Sequence, residues 1–170
     1  MKEKILLTAA SCVFKKKKGD ISWFLVKNED SGDWEIPKTQ VRTGESSVRA
    51  SIRSMAEEGG MRAKVIEEVG RAGGAGKVGE KIVTQRTLFY LLSYREGADV
   101  LGFVDSDWVD HSSALRKVSS KRDNQMLKDA KVLIGRLEKE QGKAFKTGAA
   151  AVAEEQEEEK GSSSSSDDEE

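Results

Sequence analysis

The chain has 170 residues, of which 36% are hydrophobic and 35% are charged, and its formal net charge is −1. A charge so close to zero excludes a global field that attracts anions, so we expect neither duplex nucleic acid nor a membrane as partner. The single cysteine, Cys12, excludes a disulfide-stapled secreted domain. We therefore expect Cys12 to be a buried small hydrophobe and the protein to be cytoplasmic.

The first part of the chain is predicted to form a β-hairpin followed by a helix. Apolar runs at 5–14 and 21–28 predict two strands, because the turn-forming residues Gly19 and Asp20 lie between them. After an irregular stretch that contains the only proline, residues 45–58 predict a helix. The glycine pair that follows this helix is typical of a helix C-terminus.

The second part of the chain adds strands and then helices. The predicted elements are a strand at 63–72, a mobile glycine-rich loop at 73–81, a strand at 82–96, one or two strands within 100–110, and helices at 111–120 and 123–141. This order of strands and helices favours an α/β fold in which helices cover both faces of a mixed sheet, an α/β/α sandwich.

The composition changes near residue 142. Apart from Val152, the segment 142–170 has no large aliphatic side chain after its first few residues, and acids and serines dominate it. Such a segment cannot bury enough apolar surface to offset the entropy of ordering. We therefore predict a domain at 1–141 and a disordered acidic, serine-rich tail at 142–170. The tail either shields and solubilises the domain or docks onto a basic partner.

A helical wheel of residues 45–58 separates an apolar arc from a charged arc. The predicted core-facing residues are Val48, Ile52, Met55 and Ala56, and the residues on the opposite arc are Arg53, Ser54, Glu57 and Glu58. Glu45 lies four residues before Arg49, which is the favourable order for an ion pair along a helix.

Glu57 and Glu58 would lie in the last turn of this helix, where the helix dipole is unfavourable for acids. A divalent cation would relieve that repulsion, and Mg²⁺ prefers oxygen ligands such as carboxylates. Spacing alone leaves two interpretations open, a metal site and a solvated acidic pair.

The stretch from Trp34 to Met61 resembles the signature of the Nudix hydrolase family. The family pattern is G-x5-E-x7-R-E-U-x-E-E-x-G-U, where U is aliphatic, and this chain keeps the spacing of Glu45, Arg53 and the acidic pair. The preceding "WEIPK" is similar to the lead-in often found before this pattern. The region 105–130 is similar to the ending of the branch that cleaves dinucleoside polyphosphates.

Two positions depart from the family pattern. Thr39 stands at the first glycine, so we expect a different local backbone there. Ser54 stands at the first glutamate of R-E-U-x-E-E, an acid that usually binds metal and sometimes activates water in this family. Glu67 and Glu68, on a later strand, are candidates to replace that acid.

The resemblance implies a Nudix-type fold and hydrolysis of a pyrophosphate bond in a nucleoside diphosphate-linked substrate, such as a dinucleoside polyphosphate. The cofactor implied is Mg²⁺ or Mn²⁺, and Ser54 would reduce the activity. The implied roles are catalysis for Glu45, Arg53 and Glu57, metal binding for Glu57 and Glu58, and substrate binding for Lys38, Trp34 and Tyr90. Arg53 would orient Glu45 or a neighbouring acid, and Lys38 and Lys77 would approach phosphates. Core packing remains the alternative for each aromatic residue.

The loss of the acid at residue 54 leaves a second function open. A Nudix module without catalysis would bind a nucleotide, an RNA end or a protein partner. General-base catalysis contributes about 10²–10⁴-fold, so the location of the base decides between the two functions.

Overall fold

The computed structural model describes residues 5–97 and 102–141, and the predicted tail at 142–170 lies outside these residues. The strands are β1 (Ile5–Lys17), β2 (Asp20–Lys27), β3 (Trp34–Glu35), β4 (Lys38–Gln40), β5 (Met61–Val78), β6 (Lys81–Gly97) and β7 (Ser106–Asp110). The helices are α1 (Ser47–Glu57), α2 (His111–Lys117) and α3 (Lys121–Gln141). In the described part of the chain, no helix has both the length and the apolar character needed to cross a membrane.

The seven strands form one mixed sheet. Its strand order is β3-β2-β1-β6-β5, while β4 pairs with β1 and β7 pairs with β2. The central strands β1 and β6 run parallel over ten residue pairs, from Ile5 opposite Thr84 to Phe14 opposite Ser93. The other pairings are antiparallel. The predicted mixed sheet is therefore confirmed.

Side chains that alternate along β1 enter two different cores, because successive residues of a strand point to opposite faces. Cys12 and Phe14 pack in the core beneath α2 and α3, whereas Val13 packs in the core beneath α1. Cys12 is buried, as predicted. The predicted apolar stripe of α3 is buried too, and it consists of Met126, Leu127, Ala130, Leu133, Ile134 and Leu137. Helices thus cover both faces, which confirms the α/β/α sandwich.

The glycine-rich segment that was predicted to be a mobile loop is instead part of β5. Residues 73–78 pair with β6 without interruption, and a turn at Gly79, whose φ is +63°, joins the two strands. The prediction was wrong because glycine is only weakly disfavoured in strands, and a well-paired neighbouring strand overrides that local preference.

The buried face of α1 also differs from the predicted one. Its buried residues are Ala50, Ser51, Ser54 and Met55. Of the four residues predicted to face the core, Met55 is buried, whereas Ala56 is exposed and Val48 and Ile52 are 37% and 42% exposed. Small side chains on the buried face place little bulk between α1 and the sheet. The wheel was wrong because it assigned the core face to the larger apolar residues.

Candidate functional site at the acidic end of helix α1

The two carboxylates lie at the C-terminal end of α1, in a short and well-defined reversal of the chain. The helix begins after Ser46, whose side chain accepts a hydrogen bond from the third residue of the first turn. At the other end, the N–H of Glu58 donates to the carbonyl of Ser54 at 2.9 Å. Gly60 then adopts a φ of +60°, which reverses the backbone into β5. Glu57 and Glu58 are thereby held side by side where the helix ends.

Arg53 forms a two-pronged ion pair with Glu45. Its Nε donates to Oε2 of Glu45 at 2.8 Å, and its Nη2 donates to Oε1 at 3.0 Å. This hydrogen bonding with Arg53 lowers the pKa of Glu45 to about 2. The predicted ion pair between Glu45 and Arg49 was wrong, because Glu45 precedes the helix and its side chain folds against Arg53 instead.

Glu57 is the more accessible of the two acids, with its side chain 56% exposed. One oxygen, Oε2, lies 3.8 Å from Nη1 of Arg53 and 3.8 Å from Nη2 of Arg42. Two guanidinium groups therefore flank this carboxylate at ion-pair distance. Arg42 is itself exposed, so it adds a positive charge at the rim of the site.

Glu58 is half-buried, and burial raises the pKa of its carboxyl group. Its backbone carbonyl accepts a hydrogen bond from the N–H of Gly102 at 3.0 Å. A Cβ atom on Gly102 would lie 2.6 Å from Cα of Glu58, so only glycine permits this approach. The segment that leads into β7 is thus packed directly on the acidic end of α1.

Ser54 is buried in the core, one helical turn before the two acids. It is 1% exposed, and within the described residues its hydroxyl has no hydrogen-bond partner. The same residues contain no cluster of three His, Cys, Asp or Glu side chains that could hold an ion. Mg²⁺ is commonly bound by one or two carboxylates, with waters and substrate phosphates completing its shell. Glu57 and Glu58 fit that mode of binding, in which phosphate oxygens supply further ligands.

Two of the predicted substrate-binding residues lie on the opposite face of the sheet. Nζ of Lys38 donates to Oδ2 of Asp123 at 2.7 Å and to the carbonyl of Ile36 at 3.1 Å. Asp123 is a buried residue of α3. The Trp34 ring packs near the α2–α3 core, with Nζ of Lys117 4.0 Å from its centroid. The structure does not bring Lys38 or Trp34 together with the acids of α1.

Tyr90 lies on the same face as α1, but its ring belongs to the core. It is 6% exposed, and its hydroxyl is 2.6 Å from Oγ of Ser47 in the first turn of α1. This hydrogen bond fixes the start of the helix on β6. This burial fits core packing, the alternative given above for each aromatic residue, and leaves little of the ring exposed.

The two acids proposed to replace residue 54 lie on different faces. Glu67 is 3.4 Å from Arg136 of α3, on the far side of the sheet. Glu68 pairs across the ladder with Tyr90 and so faces α1, and its carboxylate accepts from Nε of Arg71 at 3.1 Å. Lys77 lies further along the same strand and is exposed. Only Glu68 of the two acids shares a face with Glu57 and Glu58.

An aromatic cluster on the α1 face was not predicted from the sequence. We define it as Phe24, Tyr94, Phe103 and Trp108. The ring centroids of Phe24 and Trp108 are 5.2 Å apart, and those of Tyr94 and Trp108 are 5.3 Å apart. Nζ of Lys15 lies 3.9 Å from the Trp108 ring centroid and 4.3 Å from that of Tyr94, a cation–π arrangement.

This aromatic cluster adjoins the acidic end of α1. Phe103 directly follows Gly102, whose N–H binds the Glu58 carbonyl, and its ring packs 6.1 Å from that of Phe24. Three of the rings are only half-buried, so they retain accessible surface. The sequence shows these aromatic residues in three separate strands and one connection. The pairing of β7 with β2 places Trp108 opposite Phe24, and the order of the sheet brings Tyr94 of β6 to the same face. No local sequence pattern encodes these pairings.

No protein-family model matches the chain, and no curated protein does so either. Solved structures, however, match its fold. An Ap4A hydrolase of C. elegans in a binary complex superposes with a TM-score of 0.63 at 16% identity, covering 76% of this chain and 98% of the other. The E. coli dihydroneopterin triphosphate pyrophosphohydrolase matches with a TM-score of 0.58 at 12% identity, covering 71% of this chain and 91% of the other.

A third structure is a Nudix hydrolase from Nitrosomonas europaea. It matches with a TM-score of 0.58 at 16% identity, covering 76% of this chain and 90% of the other. At such identities the comparisons show the fold alone. They confirm the architecture that was predicted from the resemblance of residues 34–61 to the Nudix signature.

Proposed function

We propose, from the premise that the chain has the fold of Nudix hydrolases, that it hydrolyses a pyrophosphate bond in a nucleoside diphosphate-linked substrate. A dinucleoside polyphosphate is the substrate class that we favour. The observation that carries the proposal is the pair Glu57 and Glu58 at the end of α1. This pair lies beside the Arg53–Glu45 ion pair and next to the aromatic cluster. These groups provide acids, cations and aromatic rings in one place.

Glu57 and Glu58 would hold a divalent cation, Mg²⁺ or Mn²⁺, together with phosphate oxygens of the substrate. When bound, such a cation neutralises phosphate charge and lowers the pKa of water. Arg53 would restrain Glu57, because its Nη1 lies 3.8 Å from Oε2 of Glu57. The two hydrogen bonds from Arg53 to Glu45 hold the guanidinium group in place. Arg42 supplies an exposed positive charge for an anionic phosphate chain.

Glu68 is the acid that we assign to accept a proton from the attacking water. It shares the α1 face, whereas Glu67 is paired with Arg136 on the other face. Replacement of Glu68 by glutamine should lower kcat by about 10²–10⁴-fold, the usual contribution of a general base. The matched control is Glu67→Gln, which should leave kcat unchanged. Equal losses in the two variants would remove Glu68 from this role.

The aromatic cluster is the surface on which we propose that a nucleobase stacks. Trp108 and Tyr94 are half-buried, and each offers part of a ring next to the charged Lys15. Stacking of a base on an aromatic side chain is worth about 1–3 kcal/mol in nucleic-acid complexes. Because the aromatic cluster lies next to Glu58, a nucleobase stacked on it would place the phosphates near the acidic end of α1.

The experiment that tests this function is the release of nucleotides from diadenosine tetraphosphate with Mg²⁺ or Mn²⁺. The native chain should turn the substrate over, and Glu57→Gln and Glu58→Gln should each lose most of that activity. Glu29→Gln, which removes an exposed acid in the β2–β3 connection, is the matched control. Native turnover that survives both glutamine substitutions would contradict the assignment.

A second candidate function is a nucleotide-binding module without turnover. The burial of Ser54 favours this function. The family pattern has an acid at this position, whereas in this chain the side chain is buried and supplies no charge. Calorimetry with a diadenosine polyphosphate distinguishes the two functions. Binding that depends on Trp108, combined with no release of nucleotides, would support the module and contradict the hydrolase.

A further inference from the structure

Strand β5 forms one edge of the sheet, and among the described strands it pairs only with β6. Its two halves differ in regularity. Between Arg62 and Gly70 the ladder has three register shifts, whereas from Gly70 to Val78 each residue pairs in step with β6. We call residues 70–78 the outer half. Bulges are one of the devices that prevent an edge strand from pairing with another chain, and the outer half has none.

The outer half is also sterically open. Gly73, Gly74 and Ala75 are exposed, and a Cβ atom added to Gly73 or Gly74 would meet nothing within 4 Å. A further strand can therefore approach the backbone of the outer half closely. Edge strands use this kind of approach to add peptides to a sheet.

The charges around the outer half are mainly positive. The exposed basic side chains of this hairpin are Arg71, Lys77, Lys81 and Arg86, against one exposed acid, Glu80. Arg122 of α3 adds a further guanidinium, which donates to the carbonyl of Gly73 at 2.9 Å. Of these, Arg71 and Lys77 lie on β5 itself, next to an approaching strand, so acids opposite these two are favoured.

A second copy of the chain fits this edge poorly in the register that overlaps the whole outer half. Antiparallel self-pairing that overlaps the whole outer half places Gly74 opposite its own counterpart. Arg71 of each copy then lies directly opposite Lys77 of the other, so two like-charge pairs form. Like charges that face each other across a ladder are destabilising. The edge is thus suited to a different chain with the opposite charge.

We propose that the outer half of β5 binds an extended acidic segment of another protein as an additional antiparallel strand. Acids six residues apart in that segment would lie on one face, opposite Lys77 and Arg71, because side chains alternate along a strand. Backbone hydrogen bonds would supply the affinity, and the two acid–base pairs would select the sequence. The proposal does not depend on hydrolysis, although Arg71 also pairs with Glu68, the acid assigned to accept the proton from water.

The test uses the full chain and two synthetic heptapeptides. One is Glu-Thr-Val-Thr-Val-Thr-Glu, and the other has lysine in place of both glutamates. The acidic peptide should bind and the basic one should not.

Amide hydrogen exchange should slow at alternate residues of 71–77 when the acidic peptide binds, with no change at 61–69. Lys77→Glu should weaken binding about fivefold, since it replaces an attractive cross-strand pair by a repulsive one. Lys128→Glu on α3 changes net charge equally and should have no effect.

Several outcomes would overturn the proposal. Equal weakening by Lys77→Glu and Lys128→Glu would show attraction by net charge alone. Protection at 61–69, or uniform protection without alternation, would exclude strand addition at the outer half. Protection of the outer half in the chain without peptide would mean that its own acidic segment or a second copy occupies the edge, and sedimentation separates those two cases. Glu57→Gln should bind the acidic peptide as the native chain does.

Discussion

Replacement of Ser54 by alanine should stabilise the protein. The Ser54 hydroxyl is buried without a hydrogen-bond partner in the described structure, and such a group costs about 1–3 kcal/mol through lost hydration. Alanine also has the higher helix propensity, by about 0.5 kcal/mol. The small void left by one oxygen atom offsets about the same amount. The free energy of unfolding should therefore rise by about 1 kcal/mol or more.

The matched control for this change is Ser51→Ala. Ser51 is buried on the same face of α1, but its hydroxyl donates to the carbonyl of Ser47 at 3.3 Å. Loss of that hydrogen bond, worth about 0.5–1.5 kcal/mol, cancels the gain in helix propensity. Ser51→Ala should thus be nearly neutral or slightly destabilising.

Urea unfolding followed by tryptophan fluorescence measures both variants, since the chain has three tryptophans. An unchanged m-value would show that the midpoint shift reports stability. The melting temperature of Ser54→Ala should rise by about 3 °C for a domain of this size. A loss of stability in Ser54→Ala, as large as or larger than that in Ser51→Ala, would refute the conclusion that the Ser54 hydroxyl is unpaired.

Three further predictions concern the Arg53–Glu45 ion pair, the Lys38–Asp123 ion pair and the aromatic cluster. The pKa of Glu45 falls from its ordinary 4.5 to about 2 in the folded protein, so its stabilising effect is present above pH 4.5 and is lost as the pH falls towards 2. Comparison of acid unfolding between the native chain and Glu45→Gln checks this, and identical curves would contradict it. Asp123→Ala should cost about 3 kcal/mol of unfolding free energy, because it leaves Lys38 without its buried partner, and urea unfolding measures the loss. Trp108→Ala should raise KM for diadenosine tetraphosphate by about tenfold or more while the protein stays folded, whereas an unchanged KM would remove the cluster from substrate binding.

Elements with a long or strongly apolar pattern were predicted well. The apolar stripe of α3 follows a helical repeat over several turns, so both its existence and its buried face are encoded locally. The spacing of Glu45, Arg53 and the acidic pair predicted the fold, although no single residue of that set determines it. The contact of Arg53 with Glu45 follows from the same spacing once the loop before α1 is folded.

The orientation of α1 could not be predicted from its sequence, because its buried face consists largely of small residues. A hydrophobicity wheel gives little weight to Ala50, Ser51 and Ser54, yet the helix buries these three together with Met55. Their burial depends on the strands beneath α1, which belong to distant parts of the chain. The same reason applies to Lys38, whose partner Asp123 is 85 residues away.

Glu57 and Glu58 are the residues that we propose to carry the chemistry, and Ser54 is a packing residue. The most direct test compares kcat for diadenosine tetraphosphate, with Mg²⁺, among the native chain, Glu57→Gln and Ser54→Ala. We predict turnover by the native chain, a loss of at least about 100-fold in Glu57→Gln, and no change in Ser54→Ala. No turnover by the native chain, or a loss in Ser54→Ala as large as that in Glu57→Gln, would contradict the claim.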